Sequence, residues 1–141
     1  MTGRRLTMAN RYPTYRPIRK PSDLVTQLMH AWQLAKTPPT KYSPEWPFYV
    51  WLFGRYEQKS RDALGRFLML RKCGLDFIDE VAVGHDLLAA RILAHRYIEG
   101  HHWPYVCDAL NMSERECRKR TKAALAWLDD SAGWDSETDG S

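Results

Sequence analysis

Ser113 stands three residues ahead of Glu116, at the head of a run that can be little other than a helix. A serine hydroxyl can accept the third free amide of a helix while a glutamate at that amide's residue reaches back to the serine's own N–H, which makes this spacing a helix-start signal. Cys117, Thr121, Ala124, Leu125 and Leu128 then recur at helical spacing. On a wheel of about 100° per residue with Arg115 at zero, they gather between roughly 180° and 280°. Arg118, Lys119 and Lys122 fall near about 300°, 40° and 340°, on the same side as Arg115 and opposite the apolar stripe.

Two further helical patterns precede this one. From Asp86 to Glu99, Leu87, Leu88, Ala90, Leu93, Ala94, Tyr97 and Ile98 form an apolar stripe that Gly100 ends. Trp103 and Pro104 open a short second helix, since a proline in the first turn gives up only an amide that has no intrahelical partner. Val106, Ala109 and Leu110 supply its inward side, and Asn111 and Met112 form the turn.

A short helix, a tight turn and a capped helix that is basic outward and apolar inward meet the requirements of a helix-turn-helix entering the major groove. The first residues of the third helix are then the candidates for duplex DNA: Ser113, Glu114, Arg115, Arg118 and Lys119 toward base edges, and Lys119, Arg120 or Lys122 toward phosphates. His101 and His102, in the loop before the second helix, are expected to be exposed or to touch phosphate. Any amphipathic hairpin with a solvated basic face has the same pattern, so the cap, the short second helix and the one-sided charge carry the expectation together.

The stretch RYIEGHHWPYVCDALNMSERECRKRTKAALAWL resembles the sigma region 4 type of helix-turn-helix in phage and prophage late-gene regulators, those of the RinA and ArpU kind and the phage antitermination proteins. Tyr97, Gly100, Trp103, Leu110 and Ser113 carry the likeness, which spans about residues 86–128. It implies a transcription regulator, an activator or antitermination factor, with RNA polymerase as a further partner.

The chain has 141 residues with 44% hydrophobic and 12% aromatic content, enough to build one core. No alternating pattern calls for a sheet, so the expected fold is all-α, a small helical domain with a C-terminal helix-turn-helix. The expected divisions are a flexible basic arm over 1–20, an N-terminal helical region over 21–84, the helix-turn-helix unit over 85–128 and an acidic disordered tail over 129–141. In the second of these, Ser22 is placed to cap a helix carrying Leu24, Leu28, Ala31, Trp32 and Ala35 and ending near Lys36. Pro38, Pro39 and Pro44 then enforce a linker. The aromatic run at 46–56 reads as a buried helix. Ala63, Leu64, Phe67, Leu68 and Leu70 form another, with Ser60 as cap and Gly74 as stop, and LDFIDEVAVG is open between a helix and a turn.

The net charge of +4 conceals an asymmetry. Asp129, Asp130, Asp135, Glu137 and Asp139 lie beyond Leu128, leaving 21 Lys and Arg against 12 Asp and Glu in residues 1–128. A basic body favours polyanionic partners, and the acidic end is either a solubilising tail or an internal competitor for the basic surface.

Other chemistry finds little support. Cys73, Cys107 and Cys117 are odd in number and widely spaced, against a disulfide framework and for a reducing compartment. His101, His102, Cys107 and Cys117 match no zinc-ligand spacing, and no metal or cofactor is expected. Asp76, Asp79, Glu80 and Asp86 cluster in sequence without a nucleophile or ligand set, so an enzyme is not expected. No apolar run reaches the roughly 18 residues of a membrane span, and the start lacks the order of a secretory signal. A cytoplasmic location is expected, and the resemblance to phage and prophage regulators implies a bacterial host. Two rivals to the regulator remain: a small terminase subunit in DNA packaging, or a non-enzymatic inhibitor or adaptor whose basic face meets a protein. A homodimer or higher homo-oligomer fits any of the three.

Overall fold

A computed structural model describes residues 18–37, 39–56 and 62–131, and among these every regular element is helical. The order is α1 (Pro21–Thr26), a 3₁₀ turn (Leu28–His30), α2 (Ala31–Lys36), α3 (Trp46–Tyr56), α4 (Ala63–Gly84), α5 (Leu87–Leu93), a π turn (Ala94–Ile98), α6 (Trp103–Leu110) and α7 (Glu114–Ser131). The fold is all-α, as its periodicity predicts.

The first expected helix is broken in two. The Gln27 side chain is buried, and its Nε2 donates to the Asp23 carbonyl at 3.2 Å. That carbonyl would otherwise accept the Gln27 amide, which bonds instead to Leu24 O at 3.0 Å and sets the tighter turn that follows. Ser22 is not the cap. Lys20 holds that position, and Asp23 Oδ2 accepts the amides of Arg19 and Lys20 at 3.0 and 3.2 Å. Trp32 is exposed and meets Phe67 edge-on, with ring centroids 5.6 Å apart.

Helix α4 is the axis of the molecule, packed by α1, α2, α3, α5 and α7. The cap is Asp62, whose Oδ1 accepts the Gly65 amide at 2.8 Å, while Ser60 lies outside the described residues. Its buried face runs through Arg66, Met69, Leu70, Cys73, Gly74, Phe77, Ile78 and Val81, so LDFIDEVAVG is helix throughout. Leu64 and Leu68, expected inside, are exposed, because the inward stripe is set by the longer run and not by its first turns. Arg66 is buried, with its Nε on the carbonyl of Ala35 in the last turn of α2 at 2.8 Å. There a cation satisfies an end carbonyl and complements the helix dipole.

Gly74 does not stop α4; it admits a neighbour. A Cβ there would lie 2.5 Å from Leu28 Cδ2 and 2.9 Å from Leu28 Cγ. A Cβ at Gly54, in α3, would meet nothing within 4 Å. Two Gly→Ala changes in helices are therefore expected to have opposite signs. Gly54→Ala should raise the unfolding free energy by about 0.5–1 kcal/mol by restricting the unfolded chain. Gly74→Ala should lower it by about 1–3 kcal/mol by overpacking Leu28. Urea unfolding of the pair checks both, and a stabilised Gly74→Ala would mean that Leu28 is not seated as described.

The expected boundaries shift as well. Ile18 is fully buried, so the chain joins the core before residue 21, and residues 1–17 lie outside the described residues. Ala89, Leu93, Ala124 and Leu128 pack in one cluster with Leu24, Phe48, Leu70 and Phe77, so residues 21–84 and 85–128 share a core. Helix α7 continues through Asp129, Asp130 and Ser131, which the acidic tail was expected to contain; residues 132–141 are not described.

Candidate nucleic-acid interface

The pair α6–α7 is built by two residues in the left-handed region. Gly100, at φ 78°, turns the chain out of the π turn; Asn111, at φ 54° and ψ 51°, ends α6. The Asn111 and Met112 amides then bond back to Asp108 O and Cys107 O at 3.3 and 3.0 Å. Asparagine tolerates this conformation better than most residues with a Cβ, which makes the turn compact without a glycine. Ser113 Oγ accepts the Glu116 amide at 3.1 Å and starts α7. The reciprocal half of the cap is not made: Glu116 Oε2 accepts from Arg120 Nε at 2.9 Å.

A small cluster holds the two helices together: Ile92 of α5, Val106 of α6 and Cys117 of α7, flanked by Trp103, Cys107, Leu110 and Met112. Ala109, expected inside, is exposed. Cys117, Thr121, Ala124 and Leu128 are the buried face of α7, and Thr121 Oγ1 donates to Cys117 O at 2.9 Å. Burial pushes the Cys117 thiol up to about 11 and Cys73 up to about 12, so both behave as small apolar groups at neutral pH.

On the outer side, Ser113, Glu114, Arg115, Arg118, Lys119 and Lys122 are all exposed. They are not equally available. Arg118 Nε donates to Glu114 Oε2 at 2.6 Å, and its guanidinium lies over the Trp103 ring at 4.9 Å. Two of the expected base contacts therefore neutralise each other. Arg115, Lys119 and Lys122 take no part in a salt bridge among the described residues. Arg120 faces away from this side. Its Nη1 donates to Asp86 Oδ2 at 2.8 Å, which ties α7 to the cap of α5 and holds this cation apart from Arg115, Lys119 and Lys122. Burial tends to raise the Asp86 carboxyl, but the Ala89 amide, Arg120 and the Leu88 amide outweigh it and hold the group below the usual carboxylate range.

The two histidines separate. His102 is exposed at the N-cap of α6. His101 is half-buried, stacked on Tyr105 with centroids 3.8 Å apart, and its Nε2 is 3.1 Å from Glu99 Oε1. It does not project with the basic face.

Residue types alone did not single out Trp103 or Arg96 as a pair. The Trp103 ring has the Arg118 guanidinium at 4.9 Å and that of Arg96 at 5.4 Å, and Arg96 Nη1 donates to His101 O at 3.2 Å. Arg96 Nε is buried without a hydrogen-bond partner among the described residues. The Glu114–Arg118 and Glu116–Arg120 pairings were readable, since glutamate four residues before a cation is the favoured order on a helix.

Comparison with protein-family models, curated proteins and solved structures gives no match. Among the described residues, no helix is long and apolar enough to cross a membrane.

Proposed function

We propose that α6 and α7 form a helix-turn-helix that binds duplex DNA, and that the protein is a sequence-specific transcription regulator of phage or prophage type. One observation supports this above the others: α7 turns Arg115, Lys119 and Lys122 outward together while Cys117, Thr121, Ala124 and Leu128 are buried. A rigid helix with unpaired cations along one side is suited to phosphates and base edges. The regulator class rests on the resemblance over residues 86–128. In this reading Arg115 and Lys119 are the reading residues, Lys122 meets phosphate, and Arg118 fastens Trp103 and Glu114 in place. RNA polymerase and a second copy of the chain are the further partners proposed.

Selection of bound sites from random duplexes, followed by gel shifts of the full chain, tests the reading. Arg115→Ala with Lys119→Ala is expected to weaken binding to the selected site by about 10–100-fold, on the scale of lost base contacts. The melting temperature should not move, because both side chains are exposed. Arg118→Ala is a poorer probe, since it also removes a ring contact. Parental affinity in the double variant, or failure to enrich any sequence, would refute the assignment.

A further inference from the structure

We infer that His95, Glu99 and His101 form a divalent transition-metal site of zinc type where α5 hands over to α6. His95 Nδ1 and His101 Nε2 each lie 3.1 Å from Glu99 Oε1, and the three ligand atoms all fall within 4.8 Å of one another. Zinc binds nitrogen and oxygen at about 2.0–2.1 Å, which sets tetrahedral ligand atoms about 3.3 Å apart. Two imidazoles and one carboxylate suit zinc and its neighbours in the transition series and are poorly matched to magnesium or calcium, which take oxygen. Three protein ligands leave a fourth position for water or an exogenous anion.

The backbone is arranged to bring these groups together. His95 and Glu99 are four residues apart, on one face of the π turn, where the Glu99 amide bonds to Ala94 O at 3.0 Å. Gly100 reverses the chain at φ 78°, and the His101 amide returns to His95 O at 3.0 Å. A residue with a Cβ at position 100 would be strained there and would also lie 2.6 Å from Met29 Cε. Tyr105 stacks on the His101 ring and Arg96 holds the His101 carbonyl, so the ligand that comes from the loop is oriented before any ion arrives. The spacing is His-x₃-Glu-x-His, and neither His102 nor a cysteine belongs to it. A bound ion would clamp the loop that launches α6, independently of whether α7 reads DNA.

Titration of the untagged full chain with Co²⁺ and Zn²⁺ tests the site. One equivalent of Co²⁺ should give visible d–d bands that Zn²⁺ bleaches, and Zn²⁺ should raise the melting temperature with concentration, whereas Mg²⁺ should do neither. His95→Ala, His101→Ala and Glu99→Gln should each weaken binding by about tenfold or more, since even outer contacts to a metal's ligands are worth about that much. His102→Ala, at the exposed neighbour, should leave it unchanged. Should a histidine variant unfold by circular dichroism, Glu99→Gln decides, because it keeps the side-chain shape. Absence of saturable binding, or binding that survives Glu99→Gln and His101→Ala at parental strength, overturns the site.

Discussion

Phe77→Ala is expected to lower the unfolding free energy by about 3–5 kcal/mol, the cost of removing a large ring from a core that only partly closes over the gap. Phe77 is 1% exposed at the centre of α4, and its ring is stacked on Trp51 of α3, with centroids 6.0 Å apart and planes 18° from parallel. This ring contact is one of several ties between the aromatic helix and the axis of the fold, beside the Tyr56 hydroxyl on Asp76 Oδ2 at 2.7 Å and the Arg55–Glu80 pair at 3.8 Å. A domain of this size has about 5–15 kcal/mol in total, and the variant would keep only part of it. Urea unfolding followed by far-UV circular dichroism reads the loss. Phe77→Leu should fall between the parent and the alanine variant, and a cost under about 1 kcal/mol for alanine would show that the site is not a packed interior one.

Asp129→Ala is expected to cost about 2–3 kcal/mol, the scale of hydrogen bonds to a charged group where the partner is left partly buried. Asp129 Oδ1 accepts the Ser22 amide at 2.8 Å and Oδ2 accepts the Ser22 hydroxyl at 2.7 Å, joining residues 107 positions apart. The carboxylate also sits at the N-terminus of α1, where its charge meets the positive end of the helix dipole. Asp130, one residue on and exposed, is the control, with a change within about 0.5 kcal/mol expected. The same comparison bears on the acidic end. Deleting 129–141 would remove this clasp together with the tail, so its effect on DNA affinity would mix stability with charge. Deletion from 132 onward isolates the charge, and stronger non-specific binding at low salt would identify the tail as a competitor for the basic face.

The clasp also bears on the proposed reading helix. Helix α7 presents Arg115 and Lys119 near its start, buries Ala124 and Leu128 in the main core, and holds α1 through Asp129. The outward cations are therefore set on an element that the whole body positions. Arg120 adds a lateral tie to Asp86. If α7 is the reading helix proposed above, a face fixed in this way would discriminate by geometry, because little ordering would remain to be done on binding.

Local chemistry in the sequence was enough to determine the all-α class, the Ser113 start, the Asn111 turn, the proline-opened α6 and the division of α7 into a basic and a buried side. Each of these rests on interactions within about four residues, where spacing translates directly into contact. Gly74 looked like a stop and is a socket for Leu28; Ser22 looked like a cap and is a donor to Asp129; His101 looked like a loop histidine and meets His95 across Glu99. In the first two the deciding partner lies far along the chain, and in the third a left-handed glycine folds the loop back. Only the assembled tertiary structure brings Leu28 to Gly74 and Asp129 to Ser22, and no periodicity within one helix encodes that proximity, whereas the His101 contact depends on the local backbone turn at Gly100, which residue spacing does not state.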